Sequence, residues 1–184
     1  MTELVNGTVE AFGRLDVLVN YAGASDVGLL AGLDSHTWHD IIAVNAGAAL
    51  YAAKAAIPYL KESKGNIVNI GSSNALHSNY GQPTYNAAKR AAESLSASIA
   101  IEHAADGVRS NTAHPGVIYR TGITALEACT THIQMRRTGT PDEIASVVAF
   151  LASPEASYVA GAAITVDGGL NQLLHLPPTM PPSE

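Results

Sequence analysis

The sequence predicts an α/β protein built on a parallel sheet, and three observations carry that expectation. Short apolar runs at Leu15–Asn20, Ile67–Ile70, Val108–His114 and Ala163–Val166 have the length of strands. In the first of them Leu15, Val17, Leu18 and Val19 put apolar side chains on both faces, the pattern of a strand buried within a parallel sheet. Longer helix-like runs separate the strands, and such alternation is what parallel pairing requires.

Each element has its own local reason. Thr2 to Phe12 reads as a helix with Gly13 as its stop. After the first strand, Asn20-Tyr21-Ala22-Gly23 reads as a strand-to-loop turn with Gly23 at a special backbone angle. Asp34 or Ser35 caps a long helix through Trp38, Ile41, Val44, Leu50 and Ile57 to about Glu62, with Asn45 inside it. A helix from about Pro83 to Ala105 is rich in small residues, among them Ala87, Ala88, Ala91, Ala92, Ser96 and Ala100. Pro141-Asp142-Glu143 opens a last helix to Leu151, with acids suited to the positive end of its dipole. Asp167-Gly168-Gly169 turns after the last strand, and the tail from Leu170, with Pro177, Pro178, Pro181 and Pro182, reads as extended or disordered.

Composition bounds the function. At 184 residues with 47% hydrophobic content, the chain is expected to form one domain over residues 1–169, followed by a Pro-rich tail over 170–184. A net charge of −6 argues against nucleic acid or an anionic membrane as partner. The single cysteine, Cys129, excludes a disulfide framework and fits a cytoplasmic protein. No membrane span or signal peptide is expected, because no apolar run approaches 18 residues and no basic segment follows Met1. His36 and His39 lack the cysteine pair or carboxylate cluster that a metal site would need, so no metal is expected.

The chemistry concentrates in Gly71 to Lys89, GSSNALHSNYGQPTYNAAK. Ser72 precedes Tyr85 by 13 residues, and Lys89 follows Tyr85 by four. On a helix, positions four apart lie one above the other, so the Lys89 ammonium can sit beside the Tyr85 ring. A fixed cation favours a phenolate and lowers its pKa from near 10, which suits a tyrosine to proton exchange with a carbonyl or an alcohol. The strand Ile67–Ile70 delivers Ser72 to a strand end, and strand ends followed by helix starts are where open α/β sheets hold ligands. A nucleophilic serine is not indicated, because no Gly-x-Ser-x-Gly turn occurs.

These residues, with Gly13 to Gly23 (GRLDVLVNYAG), Val44-Asn45, Asn66 to Ser72, Pro115-Gly116 and Val166 to Gly169 (VDGG), resemble the motif series of the short-chain dehydrogenase/reductase family in its order and near its spacing. The resemblance implies a Rossmann-like parallel sheet flanked by helices, and reversible hydride transfer between NAD or NADP and a small-molecule carbonyl or alcohol. Ser72 then corresponds to the residue that holds the substrate oxygen, and Tyr85 to the proton donor or acceptor. Lys89 corresponds to the residue that lowers the tyrosine pKa and bonds the nicotinamide ribose, and Asn45 to the asparagine that anchors a relay water. The cofactor-side positions implied are Asn20, Ala22, Gly23, Tyr85, Lys89, Pro115, Gly116 and Ile118. Relatives place a threonine five residues after the proline against the cofactor amide, where this chain has Thr121 six after; Gly122 to Thr138 corresponds to their substrate lid. The turn Pro115-Gly116-Val117-Ile118-Tyr119 is similar to that of the enoyl-CoA reductase branch.

Two departures shape what is expected next. Tyr21 takes the second position of the family's Asn-Asn-Ala-Gly turn. No two glycines are separated by a single residue, so the first strands and the glycine-rich turn that let a backbone approach a pyrophosphate are missing, about 75 residues at roughly 30 per strand-helix unit. The Leu15–Asn20 strand would then be an uncovered apolar edge. A fragment of a longer protein, a homo-oligomer that covers the edge, and an inactive relic serving as an oligomerisation or regulatory subunit are the alternatives. In relatives the helix from Pro83, with the one before it, forms a dimer interface; close packing within one subunit would use the same small residues.

Overall fold

The computed structural model describes residues 1–119 and 130–172. Four strands, β1 (Val17–Asn20), β2 (Asn66–Ile70), β3 (Arg109–Pro115) and β4 (Ala163–Val166), form one parallel sheet in the order β1-β2-β3-β4. Helices α1 (Thr2–Phe12), α2 (Ser35–Ile42), α3 (Ala48–Ser63), α4 (Pro83–His103) and α5 (Pro141–Ala152) lie between and beside them. Each expected strand and helix is found, with β1 starting two residues later than Leu15.

The period of two along a strand sends alternate residues of β2 into different layers. Ile67 joins Val5, Ala53, Ala56, Leu60 and Val108 in a core on the side of α1, α3 and α4. Val68 joins Ala113 and Leu151 in a second core under α5. A polar seam runs through the first layer: Asn20 Nδ2 donates to Asn69 Oδ1 (2.8 Å), Asn69 Nδ2 donates to Ser96 Oγ (3.0 Å), and Ser96 Oγ lies 2.9 Å from Ser110 Oγ. Buried polar groups persist where each has a partner, and here the partners tie β1, β2, β3 and α4 together.

The helix ends follow from their residues. Gly13 ends α1 in the left-handed conformation (φ 76°), its N–H donating to the Val9 carbonyl. The Asp34 side chain accepts from Thr37 N–H and caps α2. Thr140 and Glu143 form a reciprocal capping box at α5. The long helix expected from Asp34 to Glu62 is interrupted, because Ala43–Gly47 widens into a π-helical turn between α2 and α3.

Two expectations need correction. The continuous helical stretch Ser35–Ser63 is long and apolar enough by composition to cross a membrane, contrary to the reading that no such run exists. Alanine, isoleucine and valine supply most of that hydropathy, and Ala52, Ala53, Ala56 and Leu60 are used to pack α3 within the domain, against α1 and the sheet. Leu170–Gln172, read as the start of an extended tail, instead forms a single 3-10 turn in which the Asp167 carboxylate accepts from Gly169 and Asn171 N–H groups. The remaining tail, its four prolines included, lies outside the described residues, as do Cys129 and Thr121.

β1 has a paired neighbour on one side only among the described residues, and Val19 on it is 43% exposed, as an apolar edge would be. The small residues of α4 divide between two faces. Ala88, Ala92, Ser96 and Ala100 are buried in the domain, whereas Ala87 and Ala91 are exposed. Ala56 is fully buried in the α3 layer, so Ala56→Leu should overpack it and cost about 1–3 kcal/mol, read as a lower urea midpoint with an unchanged slope.

Candidate active site

Among the described residues, Asn20, Gly23, Asn45, Ser72, Tyr85, Lys89, Pro115 and Gly116 stand at or beside the carboxyl edge of the sheet. β1 ends at Asn20, β2 at Ile70 and β3 at Pro115, and the chain leaves each strand through one of the quoted motifs. Crevices outside strand carboxyl ends are the ligand positions of open α/β sheets.

Lys89 is the anchor. It lies on α4, is 5% exposed, and its Nζ donates to the Ile70 carbonyl at 2.9 Å, one of the last groups of β2. The same Nζ lies 5.6 Å from the centroid of the Tyr85 ring, as the four-residue spacing requires. Burial pushes the Lys89 ammonium down to about 8 from an ordinary 10.5, because the charged form has lost water.

Asn45 sits in the π turn. Its Nδ2 donates to the Ile41 carbonyl four residues back (2.8 Å) and to the Ala24 carbonyl (2.8 Å), which ties the π turn to the loop after β1. Its Oδ1 is buried and has no hydrogen-bond partner among the described residues. A methyl group at Gly23 would come within 2.8 Å of that oxygen and 3.3 Å of Lys89 Nζ. Gly23 is therefore glycine for close approach. The special backbone angle expected of it is not found, because its φ is not among the positive ones. Ala22 and Gly23 are both exposed, so the cradle of Gly23, Asn45 and Lys89 opens to solvent on that side.

Ser72 follows β2 and caps a short 3-10 turn, Ser73–Ala75, its Oγ accepting from Asn74 N–H at 3.1 Å. That leaves the hydroxyl hydrogen to be donated elsewhere. Asn74 next to it donates from Nδ2 to Gln82 Oε1 (3.0 Å) and Asn86 Oδ1 (2.9 Å), which brings the Ser72 turn to the first turn of α4 and to Tyr85.

Pro115 and Gly116 close β3. Gly116 N–H donates to the Val166 carbonyl (3.1 Å), and a methyl group there would meet Asp167 at 2.6 Å, so β4 approaches too closely for a side chain. Ile118 bridges to Gly139 and lines a cavity of about 370 Å³ with Val117, Met135, Ile144 and Asp167. Of the stretch Gly122 to Thr138, residues 130–138 are described; Ile133 in it is buried against Gly168. Asn20, placed on the cofactor side by the sequence, spends its Nδ2 on Asn69 inside the sheet.

Three further residues act on this site without a local signal in the sequence. Asp26 is 6% exposed and its carboxylate accepts from the N–H groups of Thr84 (3.2 Å) and Tyr85 (3.0 Å). The residue before α4, Gln82, provides no side-chain cap, so Asp26 performs that task from 58 residues upstream, a contribution of about 1–2 kcal/mol. His114 lies behind Ser72, and Glu93 lies behind His114.

Fold and site together define a Rossmann-type α/β domain with a paired tyrosine and lysine at the carboxyl edge of its sheet. Comparison with known proteins points the same way. The family profile described as enoyl-(acyl carrier protein) reductase matches residues 1–171. The chain is 36% identical over 173 residues to meso-2,3-butanediol dehydrogenase of Serratia marcescens, covering 91% of this chain and 68% of that protein. It superposes on the ligand-free aldohexose dehydrogenase of Thermoplasma acidophilum with a TM-score of 0.92 at 31% identity, over 97% of this chain and 76% of that one. ElxO, solved with NADP bound, gives a TM-score of 0.89 at 28% identity, over 94% and 73%. The chain belongs to the short-chain dehydrogenase/reductase family of oxidoreductases.

The depressed Lys89 pKa makes stability depend on pH. Between about 8 and 10.5 the unfolded chain holds a proton on Lys89 that the folded chain releases, so this residue's contribution to stability rises with pH through that window. Chemical denaturation across it should show a steeper rise for the wild-type chain than for Lys89→Met; equal slopes would contradict the buried ammonium.

Proposed function

We propose that this chain catalyses reversible hydride transfer between a nicotinamide cofactor and a small carbonyl or alcohol. The observation that carries the reading is the cradle of Gly23, Asn45 and Lys89: a bare backbone, a buried acceptor without a partner among the described residues, and an ammonium with donors to spare, all within contact of one point. These groups suit the hydroxyls and carboxamide of the nicotinamide-ribose half. The pyrophosphate half has no glycine-rich turn in this sequence to receive it. ElxO, a structural relative, binds NADP, which supports cofactor use here without selecting NAD or NADP.

The bound nicotinamide supplies or accepts the hydride, and the protein supplies the proton and the geometry. Tyr85 delivers a proton to the carbonyl oxygen in reduction and takes it from the hydroxyl in oxidation. Ser72, with a hydroxyl hydrogen to donate, holds that oxygen beside Tyr85. Lys89 sets a positive charge 5.6 Å from the Tyr85 ring and has its remaining hydrogens for ribose oxygens. Asn45 Oδ1 holds a water through which the proton used at Tyr85 is replaced. Ala22 and Gly23 border the cofactor on one side, with Pro115, Gly116 and Ile118 on the other.

We further infer a cytoplasmic homo-oligomer. The outer faces of α3 and α4 expose Leu50, Tyr51 and Ile101 beside small residues, a surface suited to a second copy. Relatives of this chain bear the names of dehydrogenases and reductases, which supports turnover over the inactive-subunit alternative.

The test is a spectrophotometric screen of NADH and NADPH oxidation with diketones, 3-oxoacyl thioesters and sugar lactones, and the reverse with diols and aldohexoses. Turnover is expected for at least one pair. Tyr85→Phe should lower it on the order of 100- to 10,000-fold, the scale of general acid–base catalysis, with the fold retained by circular dichroism. A Tyr85→Phe chain as active as the wild type would overturn the assignment.

A further inference from the structure

His114 is fully buried at the end of β3, and no step described above uses it. Its Nδ1 lies 3.0 Å from the Ser72 backbone nitrogen and 2.9 Å from the Ser72 carbonyl oxygen. Its Nε2 faces Glu93 Oε2 at 3.4 Å, and Glu93 stands one helical turn after Lys89 on α4. The ring is pressed against Gly71, where a side chain would collide with the imidazole and with Thr112. A buried histidine, a carboxylate and the backbone of the substrate-side serine therefore form one line from α4 through β3 to the end of β2.

Two tautomers compete along that line: Nδ1–H would donate to the Ser72 carbonyl, and bare Nδ1 would accept from the Ser72 N–H, so Glu93 on the far side of the ring is the group that can select between them. A neutral imidazole has one N–H and one bare nitrogen. A proton on Nδ1 would leave the lone pair of Nε2 facing the part-exposed Glu93 carboxylate, a repulsion that burial of the ring does little to screen. A proton on Nε2 faces the carboxylate at 3.4 Å, an electrostatic contact outside hydrogen-bond geometry, and leaves Nδ1 to accept from Ser72 N–H at the cost of the bond to the Ser72 carbonyl. The groups around the ring also bear on its charge. Burial lowers the His114 pKa, with Lys89 acting in the same direction and Glu93 and the Ser72 carbonyl acting against it, so the neutral form is favoured.

We propose that His114 is a positioning residue for Ser72: with its tautomer selected by Glu93, Nδ1 accepts the Ser72 N–H, fixes the Gly71-Ser72 peptide plane, and so aims the Ser72 hydroxyl at the substrate oxygen. This inference rests on the reading that Ser72 holds that oxygen. A histidine that only filled space beside Gly71 would have no need of a particular tautomer or of Glu93.

The experiment has two arms. Nitrogen-15 spectra of histidine-labelled protein at neutral pH report the tautomer with no substrate present. The expected result is His114 protonated at Nε2 with a slowly exchanging Ser72 amide, kept in Glu93→Gln, whose side-chain oxygen still accepts, and lost to a tautomer mixture in Glu93→Leu. A His114 ring protonated at Nδ1, or unaffected in Glu93→Leu, would overturn the proposal. The second arm compares His114→Asn, whose oxygen stands near the position of Nδ1, with His114→Leu, under steady-state kinetics on the best substrate of the screen. His114→Leu should lose kcat by roughly 10- to 100-fold, the scale on which a misplaced reacting group acts, with little change in KM for the cofactor, and His114→Asn should recover most of it. Equal losses in the two variants that follow their melting temperatures, or no loss in either, would reduce His114 to packing. A wild-type chain without turnover would sink the functional reading alone, since the first arm still decides the tautomer and its dependence on Glu93.

Discussion

The contact on which the site depends is the bond from the buried Lys89 ammonium to the Ile70 carbonyl. It fixes α4 to the end of β2, and that distance determines what can stand nearby. A strand end has carbonyls to offer an ammonium, which is why a lysine can be 5% exposed there at all. The depressed pKa records the cost of removing that charge from water. Tyr85 is placed by helical geometry from the same residue, and Gly23 must be bare because Lys89 and Asn45 occupy the space a side chain would take.

Around that contact the domain keeps more polar groups inside than its packing needs. Asn20, Asn69, Ser96 and Ser110 hold three strands and α4 in register, and Asp26 holds the first turn of α4. A hydrophobic seam would stabilise the sheet as well, but it would not set the height of α4 over the strand ends to within a hydrogen bond. The π turn at Asn45 belongs with these features. It disturbs a helix otherwise rich in alanine and isoleucine, and it turns one carboxamide so that its nitrogen is satisfied and its oxygen, among the described residues, is not. Local frustration of this kind is expected where a site must present a group to a ligand.

The sequence made the fold legible because its signals are local. Two-faced apolar runs give strands of a parallel sheet, and Gly13, Asp34 and Pro141 mark helix ends through their own backbone or side-chain chemistry. Tyr85 and Lys89 were legible for the same reason, since four residues on a helix are neighbours. Asp26 and His114 were not. They meet their partners across 58 and 42 residues, and no spacing rule foresees which carboxylate or imidazole a fold will bring to a helix start or a serine. Gly23 was found for a reason that the structure replaces, close approach instead of a left-handed backbone. The π turn also escaped notice, because an asparagine within an apolar helix reads the same whether the helix is regular or widened.

The central proposal is that the cradle of Gly23, Asn45 and Lys89 seats the nicotinamide ribose. Calorimetric titration of the purified chain with NADH and NADPH, repeated on Gly23→Ala, addresses it most directly, because the added methyl would stand 2.8 Å from Asn45 Oδ1 and 3.3 Å from Lys89 Nζ. The account predicts micromolar binding of at least one cofactor to the wild-type chain, weakened about tenfold or more in the variant, which corresponds to about 1.4 kcal/mol. Equal affinity in the two chains, or no binding to the wild type at millimolar cofactor, would contradict it.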